Sequence, residues 1–227
     1  MAGVSQAPRV AASIPADPVM ALAAAKAKLG RESARFTQDG GSDIYRFTGV
    51  VNAETKSWEV TGRDFVVRRV GRDLYVQASG RALHDMALGS TTIARLAAGD
   101  WVHTGLPLYA ESSVVFNDAF PWNLANPANR AGDITRTGSR SFTGQFTSKD
   151  KRPSSTPRPD ITFRVNIDLD EQGRFSKIST ASVGKSGAYT TIFTLSDYGL
   201  RTDLAIPPAD QVVEEKDPFF LSATLLP

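Results

Sequence analysis

The sequence of 227 residues contains no cysteine and only two histidines, His84 and His103. The missing cysteines exclude disulfide bonds, thiol nucleophiles and cysteine zinc sites. Any histidine-based catalysis or metal site must use one of the two histidines. No apolar run reaches the roughly 20 residues that a membrane-spanning helix needs. The net charge of +2 creates no strong field toward nucleic acid. We therefore expect no metal site, no cofactor and no nucleic-acid partner.

The first 16 residues lack both the charged and the apolar segments of a signal peptide, and we expect a flexible leader there. Asp17-Pro18 then provides a helix start, because an aspartate caps the free N–H groups and proline suits the first helical position. Val19, Leu22 and Leu29 follow at helical spacing, and Gly30 is a natural stop. The sequence predicts a helix over Asp17–Leu29, opening one domain that spans residues 17–227.

Short runs rich in β-branched and aromatic residues follow, each bounded by Gly, Asn or Asp. Consecutive strands joined by short turns predict a mostly antiparallel sheet. The cleanest strand alternates Ile161, Phe163, Val165, Ile167 and Leu169 with polar residues. The predicted strands are Ser33–Gln38, Ile44–Val51, Lys56–Thr61, Phe65–Val70, Leu74–Ala78, Trp101–Thr104, Asp133–Thr137, Ser141–Thr147, Ile161–Leu169, Phe175–Val183 and Tyr189–Leu195. Helical or irregular structure is predicted for His84–Leu96 and Ser112–Asn126.

Three patterns suggest a catalytic triad, a phosphate-binding loop and a calcium-binding loop, but each lacks residues that such a site requires. Ser113 and His103 have no G-x-S-x-G turn to support a catalytic triad. Gly184-Lys185-Ser186 lacks the first glycine of a phosphate loop, because Ser179 stands there. Asp168-x-Asp170 lacks the acidic twelfth ligand of a calcium loop. We expect turns at the last two sites and no enzyme activity.

Ser148–Pro159 is rich in Lys, Arg, Ser and Pro, which indicates an exposed loop. Its basic residues Lys149, Lys151, Arg152 and Arg158 are consistent with a solvated loop or with contact to anionic lipid headgroups. The aromatic residues Phe116, Phe120 and Trp122 are consistent with a plain core or with a lipid-contact stripe.

Four stretches together resemble the LolA/LolB-like lipoproteins of actinobacteria, the family that includes LppX and LprG. They are Asp17–Thr37, Val67–Val76 with Asp100-Trp101-Val102, Asp168–Ser176, and Phe193–Val213 with its Asp-Tyr-Gly and Pro-Pro. Each motif is degenerate alone, and their order and spacing carry the resemblance.

The resemblance implies a mainly β (α+β) fold, a curved antiparallel half-barrel sheet with helices packed on its concave face. It also implies a non-enzymatic lipoprotein of the cell envelope, on the outer face of the membrane, that binds or carries acylated lipid in an apolar cavity. Family members are tethered by a lipidated N-terminal cysteine, and we expect that anchor to be missing from this sequence. The alternative is an envelope interaction or sensor protein with the same fold and no functional cavity.

Apolar residues on the predicted strands and helices are the candidate lining of such a cavity. Strands that are apolar on both faces need cover on both, and the chain has few helices to supply it. We nominate as lipid-binding residues Phe47, Val67, Leu74, Val76, Phe116, Phe120, Phe163 and Val165.

Overall fold

A computed structural model describes residues 13–41, 46–85, 88–105, 128, 130–148, 160–183 and 190–215. These residues form three α-helices and twelve β-strands. The helices are α1 (Pro18–Leu29), α2 (Gly80–Asp85) and α3 (Ser90–Ala97). The strands are β1 (Ala34–Asp39), β2 (Arg46–Asn52), β3 (Ser57–Thr61), β4 (Phe65–Val70), β5 (Asp73–Ala78), β6 (Trp101–Gly105), β7 (Gly132–Arg136), β8 (Ser141–Ser148), β9 (Ile161–Leu169), β10 (Phe175–Val183), β11 (Thr190–Ser196) and β12 (Val212–Glu214).

All twelve strands belong to one curved, open sheet, in the order β12-β6-β5-β4-β3-β2-β1-β11-β10-β9-β8-β7. Neighbouring strands pair antiparallel except β12, which runs parallel to β6. The predicted mainly β fold with a mostly antiparallel sheet is confirmed, and the sheet is mixed because of β12. That strand has only three residues, and no separate pattern in the sequence indicates it.

Helix α1 begins as the sequence predicts. The side chain of Asp17 accepts a hydrogen bond from the Met20 amide at 2.8 Å, and Pro18 opens the helix. The buried face of α1 consists of Ala21, Leu22, Ala25 and Leu29, and the helix packs against β7 and β10. Helix α3 packs against β5 and β6 through Leu96. The helices therefore cover the two flanks of the sheet.

Part of the predicted leader is described and contacts the body of the protein. Ile14 packs against the hydrophobic core, and the carbonyl of Pro15 accepts a hydrogen bond from Arg136. The predicted helix or irregular segment Ser112–Asn126 and the basic loop Lys149–Arg158 lie outside the described residues.

The sheet has an inner face, which carries the core shared with the helices, and an outer face. Directly paired residues on neighbouring antiparallel strands point to the same side. The pairing therefore places on the inner face Val76, Val67, Val60, Gly49, Phe36 and Leu195, strand by strand from β5 to β11. The pairs Ile178–Phe193 and Ile178–Ile167 continue the inner face to β9.

The last described segment crosses the outer face. Strand β11 lies beside β1, whereas β12 lies beside β6, so residues 199–215 must pass over the strands between them. We call these residues the C-terminal strap. Asn52 donates to the Thr202 carbonyl at 2.8 Å, and Arg68 donates to the Ala205 carbonyl at 2.9 Å. Tyr75 and Trp101 on the outer face are buried although they stand outside the main core.

Candidate functional site

Six of the eight nominated residues lie in the described part of the chain, and all six share the inner face. Val67 pairs with Val76, and Leu74 lies two residues before Val76 on β5. Phe163 and Val165 lie two residues apart on β9, and the pairing of β2 with β1 places Phe47 on the same side. Phe116 and Phe120 lie outside the described residues. That all eight line a lipid cavity stays a prediction.

The centre of the inner face is tightly covered. Val67, Val76 and Val165 have no exposed surface, and Leu74 is 1% exposed. At one end of the sheet the cover is equally complete, because Trp58, Phe142 and Phe175 are at most 1% exposed there. We call this the closed end.

The opposite end of the sheet is less covered and is lined by phenylalanine. The half-buried residues Phe47, Phe65, Phe146 and Phe163 stand on the inner face at this end, and we call them the aromatic rim. The ring centroids of Phe47 and Phe65 are 5.9 Å apart, and those of Phe146 and Phe163 are 5.1 Å apart. The inner face thus changes from fully buried at the closed end to partly accessible at the aromatic rim.

One exposed aliphatic residue and one cation adjoin the aromatic rim. Ile161 is 44% exposed and lies two residues before Phe163, on the inner face of β9. Val183 is 49% exposed at the same end of β10, but it pairs with Thr162 and therefore points to the outer face. The guanidinium carbon of Arg130 lies 4.5 Å from the centroid of the Phe146 ring. The aromatic rim therefore combines accessible apolar surface with a positive charge.

A groove opens beside Phe65 at the same end. Its volume is about 290 Å³, and Phe65, Ala78 and Leu96 supply its apolar surface. Asp64, Gln77 and Ser79 contribute polar groups. Larger grooves of about 650 Å³ and 860 Å³ lie at the closed end, where charged and polar side chains such as Arg174 and Glu32 line them. Of these three grooves among the described residues, the groove beside Phe65 adjoins the aromatic rim.

The closed end is fastened by a polar cluster around Arg174. Its guanidinium donates to Asp170 at 2.7 Å and to Glu32 at 3.0 Å, and it stacks on the ring of Tyr198 at 4.3 Å. The Tyr198 hydroxyl donates to the Phe175 carbonyl at 2.6 Å. Burial raises the pKa of Tyr198 well above its ordinary value of 10.0, so the phenol stays protonated and keeps donating. The cluster therefore ties the hairpin turn at Asp170 to Glu32 and to Tyr198.

Of the sequence patterns considered for a triad, a phosphate loop or a calcium loop, the Asp168-x-Asp170 pattern forms a turn in the structure. Asp170 Oδ1 accepts the amides of Gln172 and Arg174 at 2.9 Å each, which closes the predicted hairpin turn with Gly173 in the left-handed region at φ 68°. Ser113 and Gly184-Lys185-Ser186 lie outside the described residues. Within the described ranges, no group of three His, Cys, Asp or Glu side chains is arranged to hold a metal ion.

His103 contacts two carboxylates on the outer face of the sheet. Its Nδ1 lies 2.7 Å from Glu214 Oε2, and its Nε2 lies 3.1 Å from Asp73 Oδ1. The Tyr75 ring stacks on the imidazole with a centroid distance of 4.9 Å. The sequence favours a partly buried structural or surface role for His103 over a catalytic one, but it does not indicate these contacts, because Glu214 belongs to strand β12, which no pattern in the sequence predicts.

Comparison with known proteins gives a likeness of fold. No family model and no curated protein sequence matches the chain. The structure is similar to LprF from Mycobacterium bovis, with a TM-score of 0.50 and 11% identity over 86% of this chain and 99% of LprF. It also matches the lipoprotein LppX from Mycobacterium tuberculosis, with a TM-score of 0.45 and 14% identity over 84% of this chain and 100% of LppX.

A third match is an uncharacterized conserved protein from Thermus thermophilus, with a TM-score of 0.41 and 10% identity over 86% of this chain and 97% of that protein. The resemblance to LppX/LprG-type lipoproteins that the sequence indicates is confirmed at the level of the fold by the match to LprF. Among the helices in the described ranges, none is long and apolar enough to cross a membrane.

Proposed function

We propose that this protein binds or carries acylated lipid on the inner face of its sheet and catalyses no reaction. The observation that carries this proposal is the aromatic rim, where four half-buried phenylalanines stand at the less covered end of an otherwise buried apolar face. An acyl chain that enters there meets mostly apolar side chains, together with a few polar ones such as Gln38 beside Phe47 and Ser182 beside Phe163.

The energetics favour such a ligand without specific polar contacts. Each CH₂ group that leaves water contributes roughly 0.8 kcal/mol, so an acyl chain that buries about ten methylene groups gains the free energy of a micromolar complex. At the closed end an acyl chain cannot leave the inner face, because Phe142 and Phe175 are fully covered there. The chain terminus of the lipid therefore enters first, and the headgroup stays at the aromatic rim beside Arg130.

The proposed location is the outer face of the cell membrane or the cell envelope. This assignment rests on the resemblance to envelope lipoproteins and on the likeness of fold to LprF. The proposed partners are an acylated lipid and the membrane.

We expect Phe163→Glu to reduce uptake of a fluorescent palmitoyl phospholipid by about tenfold or more, because a carboxylate beside the acyl chain loses its hydration. The matched control is Thr162→Glu, which adds the same charge at the adjacent residue on the outer face of β9. Both variants are compared with the parent protein by fluorescence titration, after their thermal unfolding shows that they fold. Equal affinities in the two folded variants would count against the inner face as the binding surface.

Mass spectrometry of organic extracts from the purified protein tests the proposal in a second way. We expect acyl lipid in an amount comparable to the protein. The alternative function, an envelope interaction or sensor protein without a lipid cavity, draws support from the complete burial of Val67, Val76 and Val165. Extracts free of lipid, together with no uptake of the palmitoyl probe, would favour that alternative.

A further inference from the structure

His103 lies where two strands from distant parts of the chain meet. It stands on β6 and pairs directly with Tyr75 on β5 and with Glu214 on β12. The His103 side chain is 20% exposed, whereas Asp73 and Glu214 reach it from the solvent side. The Glu215 amide donates to the His103 carbonyl at 2.9 Å, so the backbone of the same residue also holds the strap.

The hydrogen-bond chemistry of this site depends on the protonation state of His103. An ionised carboxylate only accepts hydrogen bonds, and a neutral imidazole has a single N–H donor. Both ring nitrogens of His103 lie within hydrogen-bond distance of a carboxylate. Only the imidazolium can donate to Glu214 and Asp73 at the same time, so loss of the proton removes one of the two bonds.

The charged surroundings of His103 favour the protonated form. Burial alone would lower the His103 pKa, but the hydrogen bonds and charges of Glu214 and Asp73 outweigh it and raise the pKa above its ordinary value of 6.5. The other titratable group that faces the ring is Tyr75, whose pKa burial and the same two carboxylates raise above 10.0. Arg68, on the next strand β4, is bound to Glu59 and stacks on Trp101.

Within the C-terminal strap, strand β12 is the part that pairs with the sheet. It consists of three residues, Val212–Glu214, paired with Trp101, Val102 and His103. Release of so short a strand frees the N–H and C=O groups along one side of β6, and such a free edge can pair with another strand. The stability of this contact therefore decides whether the sheet ends in β12 or in an open β6 edge.

We propose that His103 is a proton-dependent latch that fastens the C-terminal strap to β6 when protonated and loosens it when neutral. Release of the strap removes Glu214, one of the two carboxylates that raise the His103 pKa, so the pKa falls on release. The stabilisation is therefore fully present below the pKa of the released state. It disappears as the pH rises through the raised pKa of the bound state. The latch is independent of lipid binding on the inner face.

The experiment uses the His84→Gln variant, in which His103 is the sole histidine. His84 is exposed on α2, away from the strap contacts, so its replacement leaves the latch intact. NMR titration of the imidazole gives the His103 pKa, and hydrogen exchange of the Glu215 amide gives the opening equilibrium of the strap. Both are measured from about pH 5 to about pH 9, the range in which histidine titrates.

We expect the His103 pKa to lie above 6.5 and to fall when Glu214→Gln is added. The opening equilibrium should rise with pH, by about tenfold for each unit by which the pKa of the bound state exceeds that of the released state. Adding His103→Gln should make the opening equilibrium independent of pH. A His103 pKa at or below the ordinary value, or the same pH dependence with His103 absent, would overturn the proposal.

Discussion

Replacing Gly49 with alanine is expected to lower the free energy of unfolding by about 3 kcal/mol, near the upper end of the cost of overpacking a core. Gly49 lies on the inner face of β2, between Phe36 on β1 and Val60 on β3. A methyl group there would lie 2.7 Å from Phe36 Cε1 and would overlap the carbonyl oxygen of Glu59. The carbonyl belongs to the backbone of the sheet and cannot move without disturbing the β2–β3 pairing.

The Phe36 ring cannot move away from the added methyl group either. Phe36 is 1% exposed, and its ring centroid lies 5.6 Å from that of Phe193 on β11. Glycine at this position thus allows a large ring to lie flat across the neighbouring strand. Urea unfolding of the purified variant measures the loss.

The matched control for Gly49→Ala is Gly132→Ala, in the edge strand β7. The nearest atom to a methyl group at Gly132 is the Gln145 carbonyl oxygen at 3.9 Å, an ordinary contact. We expect a change within about 0.5 kcal/mol for this variant. If Gly49→Ala were as stable as Gly132→Ala, the close packing of Phe36 over β2 would be wrong.

The positions of most strands could be predicted from the sequence because alternation and turn residues are local signals. The predicted strands Phe65–Val70, Ile161–Leu169 and Phe175–Val183 have the same bounds in the structure. Strand β12 was missed because three residues are too few for alternation to be visible, and its partner β6 lies more than a hundred residues earlier. Its parallel direction depends on the path of the strap, which no local pattern encodes.

The inner face of the sheet was also largely predictable. Strand residues two apart share a face, so choosing the more apolar set on each strand selected the side that meets the core. Phe47, Val67 and Phe163 consequently fall on one face although they belong to distant strands.

The depth of burial along that face was not predictable. Alternation treats Val67 and Phe163 alike, but Val67 is completely buried and Phe163 is half-buried. The difference depends on which helices and loops cover each end of the sheet. Phe146, inside the predicted strand Ser141–Thr147, could have been nominated by alternation, whereas Phe65 begins its strand beside a turn.

The second large effect is expected at the closed end, at Arg174. This residue joins three segments that are far apart in sequence, namely the hairpin turn at Asp170, the loop before β1 at Glu32 and the residue Tyr198 after β11. Its side chain is 12% exposed, and each of its three guanidinium nitrogens donates a hydrogen bond. Burial alone would lower the Arg174 pKa, but the bonds and charges of Asp170 and Glu32 outweigh it and raise the pKa.

Arg174→Ala is therefore expected to lower the free energy of unfolding by about 2 to 4 kcal/mol, because it leaves two partly buried carboxylates without their cation. Arg174→Lys keeps the charge but cannot donate to Asp170, Glu32 and Gln172 at once, so it should recover less than half of the loss.

Arg35→Ala is the control, since its ion pair with Asp197 at 3.1 Å joins side chains that are 54% and 58% exposed. Such a pair contributes within about 0.5 kcal/mol. Chemical denaturation of the three variants at equal ionic strength measures the differences. Equal stabilities of Arg174→Ala and Arg35→Ala would mean that the cluster does not hold the closed end together.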